Sequence, residues 1–489
     1  MNGGYGALGR ALLPEALLVV TALLVITCDL VWGRGRSRET RTQAAVFLGL
    51  LGVVAAGVVV WQDGALGDVW GAALRVDMLA VAVRVGVLGL TGLSLLTVTG
   101  GRARSQPAEH VALMLLAAVG FLQMAVAQTL LLAFLGLELA SLSLYVLAGY
   151  DRTRPKSAEA ALKYFLQGGV SAAVLLFGFS LIYGLTGSID FAEVSLVLVS
   201  HSPGALGAVA VGMVLAAFGF KVAVAPFHLW APDVYEGAPT SSAALIASAS
   251  KLAGVALFWR LLWSGLGPVS GGVNLLSDGP GGWIVVVALM ASVSLVLGNV
   301  AALAQQNVRR LMAYSAIGHA GGMALGLLAA GEVGPGPLFY YAATYGLATV
   351  GTFGCIALAE RDGRCETLAD LAGLWRRSPL VAGCLGVFVL SLAGIPPLAG
   401  FFGKFVVFAA ALKIDGLGHP AGWVALIAIV MSMVALYYYL IVLKQAWLVE
   451  SDQPPRRMAI PAVAALALAA AAAGLVVLGL FPSAILGRF

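Results

Sequence analysis

Long apolar runs separated by short polar segments follow one another along almost the whole chain. A helix that crosses a bilayer needs about 20 predominantly apolar residues. By this measure the pattern predicts about fourteen transmembrane helices. They lie near residues 12–32, 43–61, 76–98, 110–127, 129–149, 159–184, 205–226, 239–262, 283–304, 312–330, 337–359, 379–411, 422–447 and 459–481. The fold class is therefore predicted to be all-α, in a polytopic membrane protein.

The composition and the loop charges agree with this fold class and add an orientation. Hydrophobic residues make up 61% of the chain and charged residues 10%, whereas a soluble domain has about 25% charged residues. Most of the 28 Lys and Arg residues fall on one set of alternating loops. The opposite set holds only Arg10, Arg75, Arg260, Lys413 and Arg488. By the positive-inside rule both termini should face away from the cytoplasm, and the net charge of +5 marks topology, not nucleic-acid binding.

Six basic residues fall inside the predicted spans: Arg84, Lys163, Lys221, Lys251, Lys404 and Lys444. A charge at bilayer depth costs at least about 2.5 kcal/mol, so such residues usually face a bundle interior and act on ions. Lys444, beside Trp447 near the end of its span, is better explained by snorkelling to the interface. Arg84 shares its span with Asp77, which favours packing or a lipid contact. The remaining lysines make proton or ion movement the first hypothesis.

Two of the predicted spans are interrupted by proline and glycine next to a lysine. One interruption adjoins Lys221 and the other precedes Lys404. The interrupting residues are Pro226, Pro232 and Pro239 in the first, and Gly394, Pro396, Pro397, Gly400 and Gly403 in the second. Unwound backbone at depth is tolerated only where protein or a water-filled cavity satisfies it, and paired broken helices indicate a transporter with a midplane site. The alternatives are kinks that only shape packing and lysines that cap half-helices.

Several ionisable residues are predicted to share one depth in the membrane. Glu138 lies about ten residues, near 15 Å, into the fifth span, and Lys221 and Lys251 lie similarly deep in theirs. A buried lysine loses its proton readily, while a nearby carboxylate restores it, so movement of Glu138 would switch Lys221. A static bridge between the two is the alternative. Lys163 follows Glu159 by four residues, which favours a local pair.

Other motifs add little. The four cysteines lack the spacing of a metal or redox site, and no phosphate-binding loop, zinc signature or nucleophile elbow is present. We therefore expect no bound cofactor and no metal in this chain. The run Tyr437 to Tyr439 is interpreted as interhelix packing.

Several segments, in the right order, resemble a known family: "GLELASLSLYVL", "AALKYF", "FGFKVAVAPFHLWAPDVYEGAP", "RRLMAYSAIGHAG" and "GIPPLAGFFGKF". They resemble the antiporter-like subunits of respiratory complex I, and are also similar to subunits of multisubunit cation/proton antiporters and membrane-bound hydrogenases. Within the family, Lys404 and the chain length most resemble the N subunits. The M subunits generally have a glutamate at the position of Lys404, and they are the alternative within complex I. The resemblance implies two inverted five-helix repeats, each with a broken helix. The first three helices are expected in residues 1–105, the two repeats in 106–265 and 266–450, and the last helix in 451–489.

The resemblance also implies a role for each candidate residue, all in proton transfer. Glu138 and Lys221 would form the charge pair of one half-channel, and Lys163 would modulate that pair. Lys251 would be the central relay, and Lys404 would be the terminal lysine of the second half-channel. His319 would carry protons between Lys251 and Lys404, and His228 would lie beside the first break. A satisfied core histidine is the alternative for His319.

The implied activity is proton translocation in a bacterial cell membrane, driven by quinone reduction elsewhere. NADH, FMN, iron-sulfur clusters and quinone are expected in other subunits. The expected partners are neighbouring antiporter-like and small membrane subunits, lipids and protons, with no nucleic acid. Two alternatives remain open: a sodium/proton antiporter subunit, and an inert scaffold within such a complex.

Overall fold

The structure, a computed structural model, describes residues 2–33, 35–100, 106–200, 204–271, 282–363, 365–414, 416, 418–451 and 457–487. Six loop or terminal arginines of the charge pattern lie outside these ranges: Arg34, Arg102, Arg104, Arg364, Arg456 and Arg488.

Twenty α-helices and one small hairpin form the described part of the chain. The helices are α1 Asn2–Trp32, α2 Arg38–Asp63, α3 Met78–Gly100, α4 Pro107–Val126, α5 Leu130–Ala148, α6 Pro155–Thr186, α7 Phe191–Ser200, α8 Gly204–Val222, α9 Trp230–Gly237, α10 Thr240–Ala247, α11 Ala249–Trp259, α12 Trp283–Leu303, α13 Val308–Val333, α14 Gly336–Asp362, α15 Leu374–Arg377, α16 Pro379–Ala393, α17 Ala399–Lys413, α18 Pro420–Trp447, α19 Ala462–Leu480 and α20 Ser483–Leu486. A π-turn, Arg260–Gly265, extends α11, and 3₁₀ turns occupy Gly267–Val269 and Leu368–Leu371.

The helix count agrees with the apolar pattern. Among the described residues, 13 helices are long and apolar enough to cross a membrane, with α10, α11 and the π-turn counted as one, Thr240–Gly265. The remaining predicted span, 379–411, is divided between α16 and α17. The all-α polytopic prediction is thus confirmed. It missed one feature, the antiparallel hairpin of β1 (Gly67–Val69) and β2 (Leu74–Val76), in which Asp68 pairs with Arg75.

The loops predicted to lie on one side of the membrane do meet at one end of the bundle. The Arg154 guanidinium lies 2.9 Å from the Glu366 carboxylate, and Asn307 forms a bridge to Thr367. We call this the basic end, defined by Arg154, Arg310 and Arg377. At the opposite end, Thr129 bridges to Asp190.

Two arginines far from the basic end are buried and paired. Arg84 of α3 contacts the carboxylate of Glu15 and the carbonyl of Ala11, both on α1, so the packing interpretation of Arg84 is confirmed. Arg260, counted from the sequence among the few basic residues of the opposite side, is 1% exposed. Its guanidinium lies 2.6 Å from the Asp77 carboxylate and donates to the Ala125 carbonyl. A paired guanidinium can stay buried because these acceptors replace water.

Candidate proton-transfer site

The first break lies between α8 and α9 and sets the position of Lys221. Helix α8 ends at Val222, and Ala223 takes a positive φ of 60°. The Ala225 N–H donates to Ser294 Oγ of α12 at 2.8 Å. Trp230 Nε1 donates to the freed carbonyl of Phe220 at 3.0 Å. Protein groups therefore satisfy the backbone that the break releases, as unwound backbone at membrane depth requires.

The second break lies between α16 and α17 and sets the position of Lys404. Gly394 ends α16 in the left-handed region, at φ 87°, where glycine carries no steric penalty. Ser391 Oγ accepts from the Gly400 N–H at 3.1 Å, and Lys404 Nζ donates to the last α16 carbonyl, that of Ala393, at 3.0 Å. Lys404 thus occupies the geometry of a half-helix cap. The same contact is compatible with a proton carrier, because the carbonyl accepts from the ammonium.

Lys221 is buried and contacts both the fifth span and the helix of Lys251. Its Nζ donates to Ser141 Oγ at 3.2 Å, one helical turn from Glu138 on α5. The Phe121 ring centre is 5.9 Å from Nζ, a favourable distance for a cation over an aromatic face. On the other side, a Cβ added at Gly254 of α11 would lie 3.2 Å from Lys221 Cγ.

Glu138 lies close enough to Lys221 for electrostatic interaction, but it forms no hydrogen bond or ion pair with it. Its Oε1 atom is buried and has no protein partner. The static bridge considered from the sequence is therefore not formed.

Lys251 is the most buried of the lysines, at 1% exposed. Its Nζ donates to the Ala316 carbonyl of α13 at 2.5 Å. Ala316 lies one turn before His319 on the same helix. The Tyr345 ring of α14 lies 5.6 Å from the Lys251 Nζ and 4.8 Å, centre to centre, from the His319 ring. Tyr345 therefore bridges the space between lysine and histidine.

Tyrosine hydroxyls hold the His319 imidazole on both sides. Nδ1 lies 2.7 Å from the Tyr341 hydroxyl and Nε2 lies 3.2 Å from the Tyr439 hydroxyl. The Tyr439 hydroxyl also contacts Ser315 Oγ, one turn earlier on α13. Each ring nitrogen therefore has a tyrosine hydroxyl with which it can exchange a proton.

His319, Tyr341 and Lys404 line one small cavity between α12, α13, α14, α17 and α18. Its volume is about 20 Å³ for the centre of a water-sized sphere. A polar cavity above about 10–15 Å³ on this measure can hold one water molecule. The cavity is therefore large enough to hold a single water molecule beside the imidazole and the lysine.

Lys221, Lys251, His319 and Lys404 lie on neighbouring helices inside the bundle, with Glu138 on the Lys221 side, and we call this set the buried row. Lys163 forms its ion pairs outside this row. Its Nζ lies 2.6 Å from Glu159 Oε1, so the predicted local pair is present, and 2.6 Å from Asp233 of α9. His228 is buried in the first break, as its sequence position indicated.

The aromatic members of this site were missed from the sequence. Tyr439 belongs to a run interpreted as packing, yet its hydroxyl bonds His319, while Tyr438 donates to Asn299 Oδ1 at 3.0 Å. Only Tyr437 of the three is exposed. The spacing of Tyr341 and Tyr345 is one available signal, since residues four apart share a helix face.

Comparison with known proteins agrees with this architecture. Residues 127–436 match the family model described as "NADH:quinone oxidoreductase/Mrp antiporter, TM". The chain therefore belongs to this family of transmembrane subunits. It is 42% identical to NADH-quinone oxidoreductase subunit N 2 of Acidobacterium capsulatum, over 98% of both chains. It is 37% identical to subunit N 1 of Roseiflexus castenholzii, over 97% of this chain and 96% of the relative.

Two solved structures are also similar. A chain of respiratory complex I from Thermus thermophilus matches with a TM-score of 0.79 and 34% identity, over 97% of this chain and 98% of that one. A chain of the Mrp complex from Dietzia sp. DQ12-45-1b matches with a TM-score of 0.80 at 22% identity, over 98% and 96%. The second likeness shows a shared fold alone.

Proposed function

We propose that this chain is the proton-translocating subunit N of a bacterial NADH-quinone oxidoreductase and that protons move along the buried row. The observation that carries the proposal is a series of close neighbours between the lysines of the two broken helices. It runs from Lys221 through Gly254 of the Lys251 helix, then through Ala316 and Tyr345 to His319, and ends at the cavity beside Lys404.

The first step uses the geometry around Lys221. With its ammonium bonded to the neutral Ser141 hydroxyl, Lys221 lacks a formed ion pair, and burial favours release of its proton. Movement of Glu138 into contact would stabilise the charged lysine and favour proton uptake. Lys163 would modulate this pair through Asp233 and Glu159, and His228 would assist at the break.

The later steps use Lys251, His319 and Lys404. A proton that leaves Lys251 would pass the Tyr345 ring, which lies beside the ammonium, to reach His319 on the other side of that ring. Histidine titrates nearest neutrality, which suits it to an intermediate carrier. The cavity then gives the proton a way to Lys404 by one water molecule.

Orientation and energy complete the proposal. The basic end would face the cytoplasm and both termini the other side. Moving one proton against 100 mV costs about 2.3 kcal/mol, which quinone reduction in other subunits must supply. The partners would be the neighbouring membrane subunits, and NADH, FMN, iron-sulfur clusters and quinone would bind elsewhere.

A second candidate, a subunit of a sodium/proton antiporter, is favoured by the Mrp name in the family description. The full-length relatives at 37–42% identity support the first. Sodium dependence of transport, measured in vesicles that contain the assembled complex, separates the two.

The cap alternative for Lys404 is tested by Lys404→Arg. Arginine keeps the charge and a donor for the Ala393 carbonyl but does not lose its proton in proteins. We expect full assembly and a fall of quinone-linked proton pumping by about tenfold or more, since proton-transfer groups contribute about 10²-fold or more. Lys413→Arg on the exposed end of α17 is the matched control. Normal pumping by the assembled Lys404→Arg complex would mean that Lys404 only caps α16.

The tyrosine partners of His319 are tested by Tyr439→Phe. The change removes the hydroxyl that His319 Nε2 and Ser315 Oγ share. An unsatisfied buried polar group costs about 1–3 kcal/mol, so we expect pumping to fall about fivefold or more. Tyr437→Phe, two residues earlier on an exposed face, should leave pumping unchanged. Equal rates for both variants in proton-uptake assays would remove Tyr439 from the site.

A further inference from the structure

An ionic cluster at the basic end connects the first broken helix to the helix of His319. Asp233 and Glu236 lie three residues apart on one face of α9. Both carboxylates contact the same nitrogen of Arg310 on α13: Nη1 is 2.7 Å from Asp233 Oδ1 and 3.0 Å from Glu236 Oε2. Arg310 therefore ties α9 to α13 at two points.

The same two carboxylates are held from the opposite side by α6. Lys163 Nζ lies 2.6 Å from Asp233 Oδ2, and Lys156 Nζ lies 2.6 Å from Glu236 Oε1. Burial raises the pKa of the Asp233 carboxyl, but hydrogen bonds from Lys163 and Arg310 outweigh it and keep the pKa below its usual range. Burial likewise raises the pKa of the Glu236 carboxyl, and hydrogen bonds from Lys156 and Arg310 outweigh it and lower the pKa. Both carboxylates therefore stay charged at neutral pH.

This cluster is not an ordinary surface salt bridge. Isolated exposed pairs contribute about 0–1 kcal/mol because water and salt screen them. The Arg376–Glu450 pair is of that kind, with side chains 63% and 71% exposed. The Asp233, Glu236 and Arg310 side chains are only 27%, 14% and 29% exposed, and each makes more than one ionic contact. The cluster can therefore fix one helix against another.

Of the helices that it joins, α13 carries His319, and α9 leads into the helices that hold Lys251. Beyond α9, the chain turns at Ala238 into α10 and α11, which hold Lys251. Helix α13 holds Ala316, the acceptor of the Lys251 ammonium, and His319. A shift of α9 along α13 would change the position of Lys251 against both.

We propose that Arg310 is a positioning residue that holds the broken helix of the first repeat against α13 of the second and so sets the spacing of Lys251 and His319. This inference rests on the proposed function of the buried row. Arg310 does not touch the row itself and acts through α9 and α13.

The test uses the complete membrane complex in vesicles, with assembly on native gels and proton pumping per NADH oxidised as separate measurements. Arg310→Gln removes the charge shared by Asp233 and Glu236. We expect an assembled complex with pumping reduced about tenfold, since a displacement of about 1 Å can cost up to about 10²-fold. Arg310→Lys, which keeps the cation, should restore most of the pumping. Arg376→Ala, which breaks the exposed pair at the same end, should have no effect.

Normal pumping by an assembled Arg310→Gln complex would overturn the proposal, as would an Arg310→Lys complex no better than Arg310→Gln. If Arg310→Gln does not assemble, Asp233→Asn, which removes one of the two acceptors, is judged by the same two results. Lys251→Met in the same vesicles separates the two levels of inference. Loss of pumping there with normal pumping in Arg310→Gln rejects the positioning role alone, whereas normal pumping in Lys251→Met rejects the buried row.

Discussion

Replacing Lys251 by methionine is expected to abolish quinone-linked proton pumping while the complex still assembles. Methionine matches the length of the lysine stem and is apolar, so it suits a site that is 1% exposed. It cannot hold the proton that Lys251 would pass towards His319. Groups that transfer protons contribute about 10²–10⁴-fold, so we expect pumping to fall by about 10²-fold or more.

The expected loss is largest here because Lys251 is the only ammonium between the two breaks that contacts both α13 and the Tyr345 ring among the described residues. At Lys404, by contrast, an adjacent cavity has room for a water that could carry part of the flux. Lys444→Met is the matched control, because Lys444 is exposed in the last turn of α18. A fully assembled Lys251→Met complex that pumps at the normal rate would leave the scaffold alternative as the better account of this chain.

The sequence was most informative about single residues and their own helices. An apolar run carries its length and its charge in consecutive positions, so the spans could be predicted, and with them the helices that carry Lys221, Lys251 and Lys404. The breaks could be predicted too, since proline and glycine act on the backbone where they stand. The first break ends α8 and the second separates α16 from α17, both near the residues that signalled them.

Contacts between distant helices could not be predicted in the same way. His319 and Tyr439 are 120 residues apart, and Arg310 and Asp233 are 77 apart. Nothing in the local pattern of α18 distinguishes Tyr439, which bonds a histidine, from Tyr437, which is exposed. For the same reason the sequence could not predict that Lys221 bonds Ser141 and forms no ion pair with Glu138. The burial of Arg260 was not predicted either, because its partner Asp77 is 183 residues away in the chain.

Helices α12 and α13 pack closely because glycines lie between them, so Gly298→Leu is expected to have the second of the two largest effects on the complex. Helices α12 and α13 approach so closely that a Cβ added at Gly298 would clash with the Gly318 backbone nitrogen and lie 2.8 Å from the Tyr314 carbonyl. Both obstacles are backbone atoms, so neither can rotate away. Membrane helices often meet through such small residues, because no hydrophobic effect drives them together in lipid.

A leucine at Gly298 is therefore expected to force α12 away from α13 and to prevent normal assembly, and Gly298→Ala should lower the thermal stability of the purified complex. Overpacking typically costs about 1–3 kcal/mol, and more where backbone must move. Gly318 precedes His319, so the same displacement would draw the imidazole away from Tyr341 and Tyr439. The controls are Gly89→Leu and Gly89→Ala, since Gly89 has no atom within 4 Å of an added Cβ and lies exposed on α3. If the Gly298→Leu complex assembled and pumped as well as the Gly89→Leu complex, the close packing of α12 on α13 would not be what holds His319 in the buried row.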